Sequence, residues 1–412
     1  MSSAATTGGK RRRPYFWEEV CSGWPSGPAE QGRRGLPAWA EHGLRAVREG
    51  LGREPGSVAG MRYLHRVELT DEKRNAERLP RSYEAEHAAL TLFGLHQHGA
   101  AEPVHRPGIG IGTACHSLRL HLLRETKEME EVERRRSDQE GGTNGSQSLL
   151  FKDTVGRRLF AVSTALDLDE LVHHLRSLLP LMRQAGVGLD YTRLHCDLCD
   201  WQTPRHGRVL RAWGLQYNAP APEGAEGAKG KSGSPPAYWA GFDPDRPHAA
   251  AELAALRSGL SEEPGTVPAM WAFHRLRMSN ELRDRGALTR DLTAEHTALT
   301  LFGLHQQGRK RSLHTPGATP GAACRRLLAQ DGGPDRVAVE RRLGTLLTSL
   351  SADELAHHLR GLVPLLRKAD IGLDYDGVRQ AVRDWDDPYR PDAQSRWRAK
   401  WERDFHRESS KV

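Results

Sequence analysis

Apolar residues at Leu168, Leu171, Val172, Leu175, Leu178, Leu179 and Met182 return at three- and four-residue intervals, the spacing that gathers side chains onto one face of a helix. The start of this helix is marked by Asp167 with Glu170, a capping-box spacing in which side chains satisfy the orphan first-turn amides. Pro180 falls inside the pattern and predicts a kink, because proline lacks the amide donor and crowds the preceding turn. A second stretch, Ala85–Gly99 (AEHAALTLFGLHQHG), is apolar nearly all round and predicts a central, fully surrounded helix. Sustained period-two alternation bounded by hairpin turns is absent, so the pattern predicts an all-α protein.

Both stretches occur twice. AEHAALTLFGLHQHG returns at Ala294–Gly308 as AEHTALTLFGLHQQG, about 209 residues on. DELVHHLRSLLPLMRQAGVGLDY (Asp169–Tyr191) returns at Asp353–Tyr375, about 184 residues on, with Ser351 and Glu354 repeating the cap and Pro364 repeating the proline. Order is kept while spacing drifts, and the period far exceeds that of solenoid repeats, so a whole folding unit is duplicated. Each copy predicts a bundle of about seven or eight helices. Residues 1–13 read as a disordered tail, 14–218 as copy 1, 219–236 (APAPEGAEGAKGKSGSPP) as a flexible linker, 237–407 as copy 2 and 408–412 as a polar end. The drift in offset locates an insertion in copy 1 at about 124–148.

Composition narrows the partners. The 412-residue chain carries a formal charge of +7 and a pI of about 9.3, a balance that suits polyanions and says nothing of fold. Five thinly scattered cysteines argue against a secreted disulfide scaffold, and no apolar run is long enough to span a membrane, so the expectation is a soluble, cytoplasmic protein.

Three basic features could meet phosphates. His173, Arg176 and Arg183 recur as His357, Arg360 and Arg367 along the polar edge of the repeated helix; this stripe suits a phosphate backbone and equally a solvated face. After each central helix a Gly-rich turn feeds a helix start, His105–Arg119 and His314–Leu327, where free amides favour an anion. Arg106, His116, Arg119, Arg325 and Arg326 would add charge there, although an ordinary tight turn explains the glycines as well. The C-terminal stretches interleave arginines with tryptophans: Arg208 and Arg211 around Trp201 and Trp213, and Arg396, Arg398 and Lys400 around Trp397 and Trp401. Such interleaving can pair phosphate contact with stacking, while tryptophans four residues apart also suit a core.

Catalytic chemistry finds no foothold. Cys196 and Cys199 have CxxC spacing, but copy 2 has Gln380 and Arg383 there. Neighbouring histidines such as His173 and His174 point about 100° apart on a helix, and His96 and His305 suit a core. Glu86/Glu295, Asp169/Asp353 and Asp190/Asp374 recur at helix starts, where structural roles suffice. No metal, cofactor or catalytic residue is expected.

The succession of Val47–Met61, Ala85–Gln97, His105–Cys115, Asp169–Arg183 and Gly188–Trp213, recurring as Leu256–Met270, Ala294–Gln306, His314–Cys324, Asp353–Arg367 and Gly372–Trp397, resembles the CasB family, the small subunit of the type I-E CRISPR Cascade complex. The resemblance implies tandem CasB-type helical bundles in one chain. It also implies a non-enzymatic subunit that binds crRNA and target DNA, including the displaced strand, beside the backbone and large subunits. A helical assembly protein that touches only partner subunits is the alternative.

Overall fold

The computed structural model describes residues 13–24, 36–74, 78–137, 154–219, 236–330 and 335–407. The tails at 1–12 and 408–412, residues 138–148 of the 124–148 insertion and most of the 219–236 linker lie outside the described residues. The chain divides into two compact units between Val209 and Leu210. Both are helical, and among the described residues each holds one isolated bridge, His105 with Leu189 and His314 with Leu373.

In the first unit the helices are α1 (Phe16–Ser22), α2 (Ala38–Glu49), α3 (Asp71–Arg74), α4 (Arg81–Gln97), α5 (Ile111–Ser137), α6 (Thr154–Ser163), α7 (Leu168–Arg176), α8 (Leu179–Gln184) and α9 (Tyr191–Asp200). The next, α10 (His206–Tyr217), begins in the first unit and ends in the second. The second unit continues with α11 (Ala249–Ser258), α12 (Asn280–Asp284), α13 (Arg290–Gln306), α14 (Pro320–Leu328), α15 (Arg336–Thr348), α16 (Ala352–Lys368), α17 (Tyr375–Asp384) and α18 (Ala393–His406).

The central helices are α4 and α13. Ala85, Leu90, Leu92 and Phe93 are buried on α4, as are Ala294, Leu299, Leu301 and Phe302 on α13. Helices α2, α7, α8 and α9 surround α4, while α11, α16 and α17 surround α13. An element wrapped on every side needs no polar face, which is why its sequence shows no amphipathic stripe. The polar residues inside are partnered. His96 Nδ1 lies 2.9 Å from the Tyr191 hydroxyl, and His305 Nδ1 lies 2.9 Å from that of Tyr375. Those hydroxyls donate to the Leu92 and Leu301 carbonyls at 3.4 and 3.2 Å.

The side-chain caps form where the spacing places them, while the Glu170 and Glu354 carboxylates accept the amides of Leu166 and Leu350, one residue before the N-caps, at 2.8 and 2.7 Å. The Glu170 amide donates to Asp167 Oδ1 at 2.8 Å and the Glu354 amide to Ser351 Oγ at 3.2 Å. The two prolines differ in outcome. Pro180 divides the copy 1 helix into α7 and α8 and sits in the first turn of α8, where its missing amide costs little; Pro364 is accommodated inside an unbroken α16. In both copies an arginine takes a carbonyl in the turn the proline loosens: Arg158 Nη1 donates to the Ser177 carbonyl, and Arg342 Nη1 to that of Gly361 at 3.2 Å.

Helices α14 and α18 meet backbone to backbone. A Cβ on Gly321 would fall on the Trp401 carbonyl, so only glycine fits. Gly321→Val is expected to cost about 3 kcal/mol of stability by overpacking, measured by urea unfolding. A loss below about 1 kcal/mol would contradict the contact.

Candidate nucleic-acid interface

The recurring arginines of the HHLR helices sit in matching surroundings. Arg183 Nη1 donates to the carbonyls of His98 at 2.7 Å and Leu95 at 3.4 Å, at the C-terminal end of α4. Arg367 Nη1 does the same at the end of α13, reaching the Leu304 carbonyl at 3.2 Å and Gln307 Oε1 at 2.7 Å. A cation there also meets the negative end of the helix dipole. Arg360 Nη1 donates to Ser261 Oγ at 2.8 Å, while the Arg176 guanidinium lies against the corresponding turn residue, Gly52. Ser261 holds a left-handed backbone, φ +72°, where copy 1 has glycine. Its hydroxyl is the acceptor that copy 1 lacks.

A further recurring arginine completes each set. Arg48 Nη1 lies 2.7 Å from His98 Nδ1, beside Arg183. Its counterpart Arg257 reaches the Gly303 carbonyl at 3.5 Å, and burial, together with the nearby Arg367 charge, lowers its pKa. Sequence reasoning missed this pair. It stands in the repeated string "RxGL" (Arg48–Leu51, Arg257–Leu260), but on a helix other than the one carrying the stripe. Arg157 and Arg341 were missed likewise; they recur at the 184-residue spacing and are exposed on α6 and α15.

Arg48, Arg176, Arg183, Arg257, Arg360 and Arg367 share one property. Among the described residues none forms an ion pair; five are held by neutral oxygens and a ring nitrogen, and Arg176 lies against Gly52. They are positioned but not neutralised. Other arginines contrast with them: Arg208 pairs with Asp200 at 2.6 Å, Arg383 with Asp291 at 2.6 Å, and Arg290 with Asp386. In the second unit a cleft of about 630 Å³ opens beside Arg360, lined also by Ser261 and His357 and by the carboxylates Glu262, Glu263, Asp353 and Asp386.

The remaining sequence candidates separate. Arg326, Arg396 and Lys400 are exposed, with Lys400 Nζ 5.5 Å from the centre of the Trp397 ring. Arg106 is exposed and pairs with Glu102 at 2.8 Å; Arg119 is half-buried, and His116 is 8% exposed. Three are drawn into structural contacts. Arg325 Nη1 donates to the carbonyls of Asp404 at 2.5 Å and Arg407 at 3.0 Å, closing the end of α18. Arg398 donates to the Ser349 carbonyl at 2.6 Å and lies over the Trp385 ring. Arg211 is 5% exposed and bonded to buried carbonyls, out of reach of a phosphate. Its sequence neighbours are tryptophans, but its contacts come from residues more than fifty positions away.

The Gly-rich turns do hold an anion, and it is the protein's own. The Gly108 amide donates to Asp190 Oδ2 at 2.7 Å and the Gly317 amide to Asp374 Oδ2 at 2.9 Å. Both aspartates also cap the helices they begin. The start of α14 is further closed by Thr319, whose hydroxyl donates to Asp404 Oδ2 at 2.8 Å. The tryptophans are core: Trp401 is 1% exposed and stacks on Trp385 at 5.3 Å.

The other groups with chemical promise are committed. Glu86 accepts the amides of Arg66 and Val67 at 2.6 and 2.8 Å, and Glu295 those of Arg275 and Leu276 at 2.8 and 3.3 Å. Burial pushes the Cys199 thiol up to about 11, opposite to what a reactive thiolate needs. His314, Asp374 and Asp376 cluster closely enough for a cation. His314 Nδ1, however, accepts the Tyr375 amide at 3.3 Å, so the neutral ring carries its proton on Nε2, which then cannot ligate.

Residues 44–217 and 252–406 match the family model of the CRISPR-associated protein Cse2. Among solved structures, the crystal structure of CasB from Thermobifida fusca is similar at 28% identity, over 40% of this chain and 88% of that one, with a TM-score of 0.30. No curated protein matches.

Proposed function

The chain belongs to the CRISPR-associated Cse2 family, in two tandem copies, and from that membership we propose that it serves a type I-E Cascade complex as one chain in place of two small subunits. Its partners are then crRNA, target DNA with its displaced strand, and the backbone and large subunits. Phosphate backbones are gripped by Arg48, Arg176 and Arg183 in one copy and Arg257, Arg360 and Arg367 in the other. Sequence is read by guide pairing, and this subunit contributes charge and shape. The observation that supports the reading is the recurrence of three arginines per copy, five of the six held by neutral partners and none in an ion pair among the described residues. No catalysis is part of it, since the recurring Glu86/Glu295 and Asp190/Asp374 serve backbone amides.

A second reading, an assembly protein bound only to partner subunits, is favoured by Leu166 and Leu350. They occupy corresponding positions and are 85% and 79% exposed. Binding to single-stranded DNA across a salt series separates the two. Six phosphate contacts predict a log–log slope of about −4, at roughly −0.7 per contact. A weak, flat response would favour the assembly protein.

A further inference from the structure

Residues 210–217, the last two turns of α10, precede the linker stretch in sequence yet belong to the second unit. Their contacts there are specific. Arg211 is 5% exposed; its Nε donates to the Gly286 carbonyl at 2.8 Å, and its Nη1 donates to the Pro264 carbonyl at 3.2 Å and pairs with Glu263 at 3.0 Å. One turn on, Gly214 lies directly against the Trp271 indole, where any Cβ would fall inside the ring. That indole is fixed from its other side by Nε1 donating to the Gly265 carbonyl at 2.8 Å. Gln216 Nε2 then donates to Asp284 Oδ1 at 3.1 Å. A buried cation, a side-chain-free patch and an amide thus meet, in order, two carbonyls with a carboxylate, a flat ring and a second carboxylate.

We propose that residues 210–217 are an anchoring segment, and that the 263–286 surface is a receptor built for that segment and independent of the covalent linker. The fit is not shared by the other copy. Helix α18 contains no glycine, so no indole could lie against its backbone as Trp271 does against Gly214. In the first unit the residue corresponding to Trp271 is Arg62, following Met61 as Trp271 follows Met270. Segment and receptor therefore occur once each per chain. A buried arginine serving two carbonyls leaves both unsatisfied if it is removed, which makes it the strongest single determinant of the fit.

The full chain, given a protease site within 220–235 and then cleaved, tests this by size exclusion over a dilution series. The wild-type fragments are expected to stay associated. Arg211→Ala is expected to weaken their association about 100-fold, and Gly214→Leu to separate them. Arg211→Lys, which keeps the charge but not the paired donors, is expected to fall between. Far-UV circular dichroism of the same cleaved samples should show helicity unchanged. Separation of the wild-type fragments would overturn the proposal. So would association indifferent to all three substitutions.

Discussion

Arg48, Arg176, Arg183, Arg257, Arg360 and Arg367, changed together to glutamine, are expected to lower affinity for single-stranded DNA by about 10³–10⁴-fold near physiological salt and to flatten the log–log salt slope by about 4. The expectation rests on partners rather than on the count of positive charges. Five of these guanidiniums are held by neutral groups and none of the six forms an ion pair among the described residues, so their charge remains available to a phosphate. Arg208 and Arg290 serve as controls. They already face Asp200 and Asp386, and glutamine there should change affinity less than about threefold, because a guanidinium neutralised by a carboxylate has little net charge to offer a phosphate. Equal losses in the two sets would mean that net charge, not placement, drives binding. Arg183 and Arg367 also close the ends of α4 and α13, so the variant should lose about 1 kcal/mol per site in stability. A lysine series at the same six positions retains the charge and separates that structural cost from the electrostatic one.

What the sequence shows well is whatever depends on near neighbours or on repetition. The side-chain caps at Asp167 and Ser351 involve groups three residues apart, and they form as their spacing predicts. The all-round apolar character of α4 and α13 is a local pattern with one geometric solution, a helix surrounded by others. Duplication adds power, since a feature retained twice, such as the Tyr191 and Tyr375 hydroxyls against His96 and His305, marks a shared core.

What the sequence hides is the identity of the group facing a charge across the fold. The glycine turns have the amide geometry of an anion site, yet Asp190 and Asp374, more than fifty residues on, fill it. Arg211 has the composition of a nucleic-acid contact and is buried against carbonyls of residues 264 and 286. Arg48 and Arg257 stand in the repeated motif, but only folding brings them beside Arg183 and Arg367. Even the two prolines, identical by pattern, end one helix and sit inside another. In each case the deciding partner is distant in sequence, and periodicity carries no information about it.

Acid is expected to weaken this protein well before ordinary carboxylate protonation would. Burial lowers His65, His96, His296 and His305 from 6.5 to about 4 each, because the imidazolium cannot be solvated in the core. These side chains are 6, 0, 4 and 0% exposed, so solvent does little to relieve that cost. The sign follows from proton counting. Above pH 6.5 both folded and unfolded forms hold these rings neutral, and stability is full. As pH falls from 6.5 toward 4 the unfolded chain takes up protons that the folded one refuses. Stability then drops by about 1.4 kcal/mol per pH unit per histidine, or roughly 3 kcal/mol per pH unit for the two in each folding unit. His87, His105 and His195 are lowered by burial as well and act in the same direction. Glu86 opposes them: burial raises its pKa, so the folded form binds its proton first and offsets part of the loss in copy 1. Glu295 has no such effect, because His274 and the Arg275 and Leu276 amides outweigh burial and lower it. Against a typical domain stability of about 5–15 kcal/mol, each unit should have lost roughly 4 kcal/mol by pH 5. Urea midpoints measured at steps from pH 8 to pH 5 should be flat above about 6.5 and fall steeply below it. A midpoint unchanged down to pH 5 would mean that these four rings are charged, or reach water, in the folded protein.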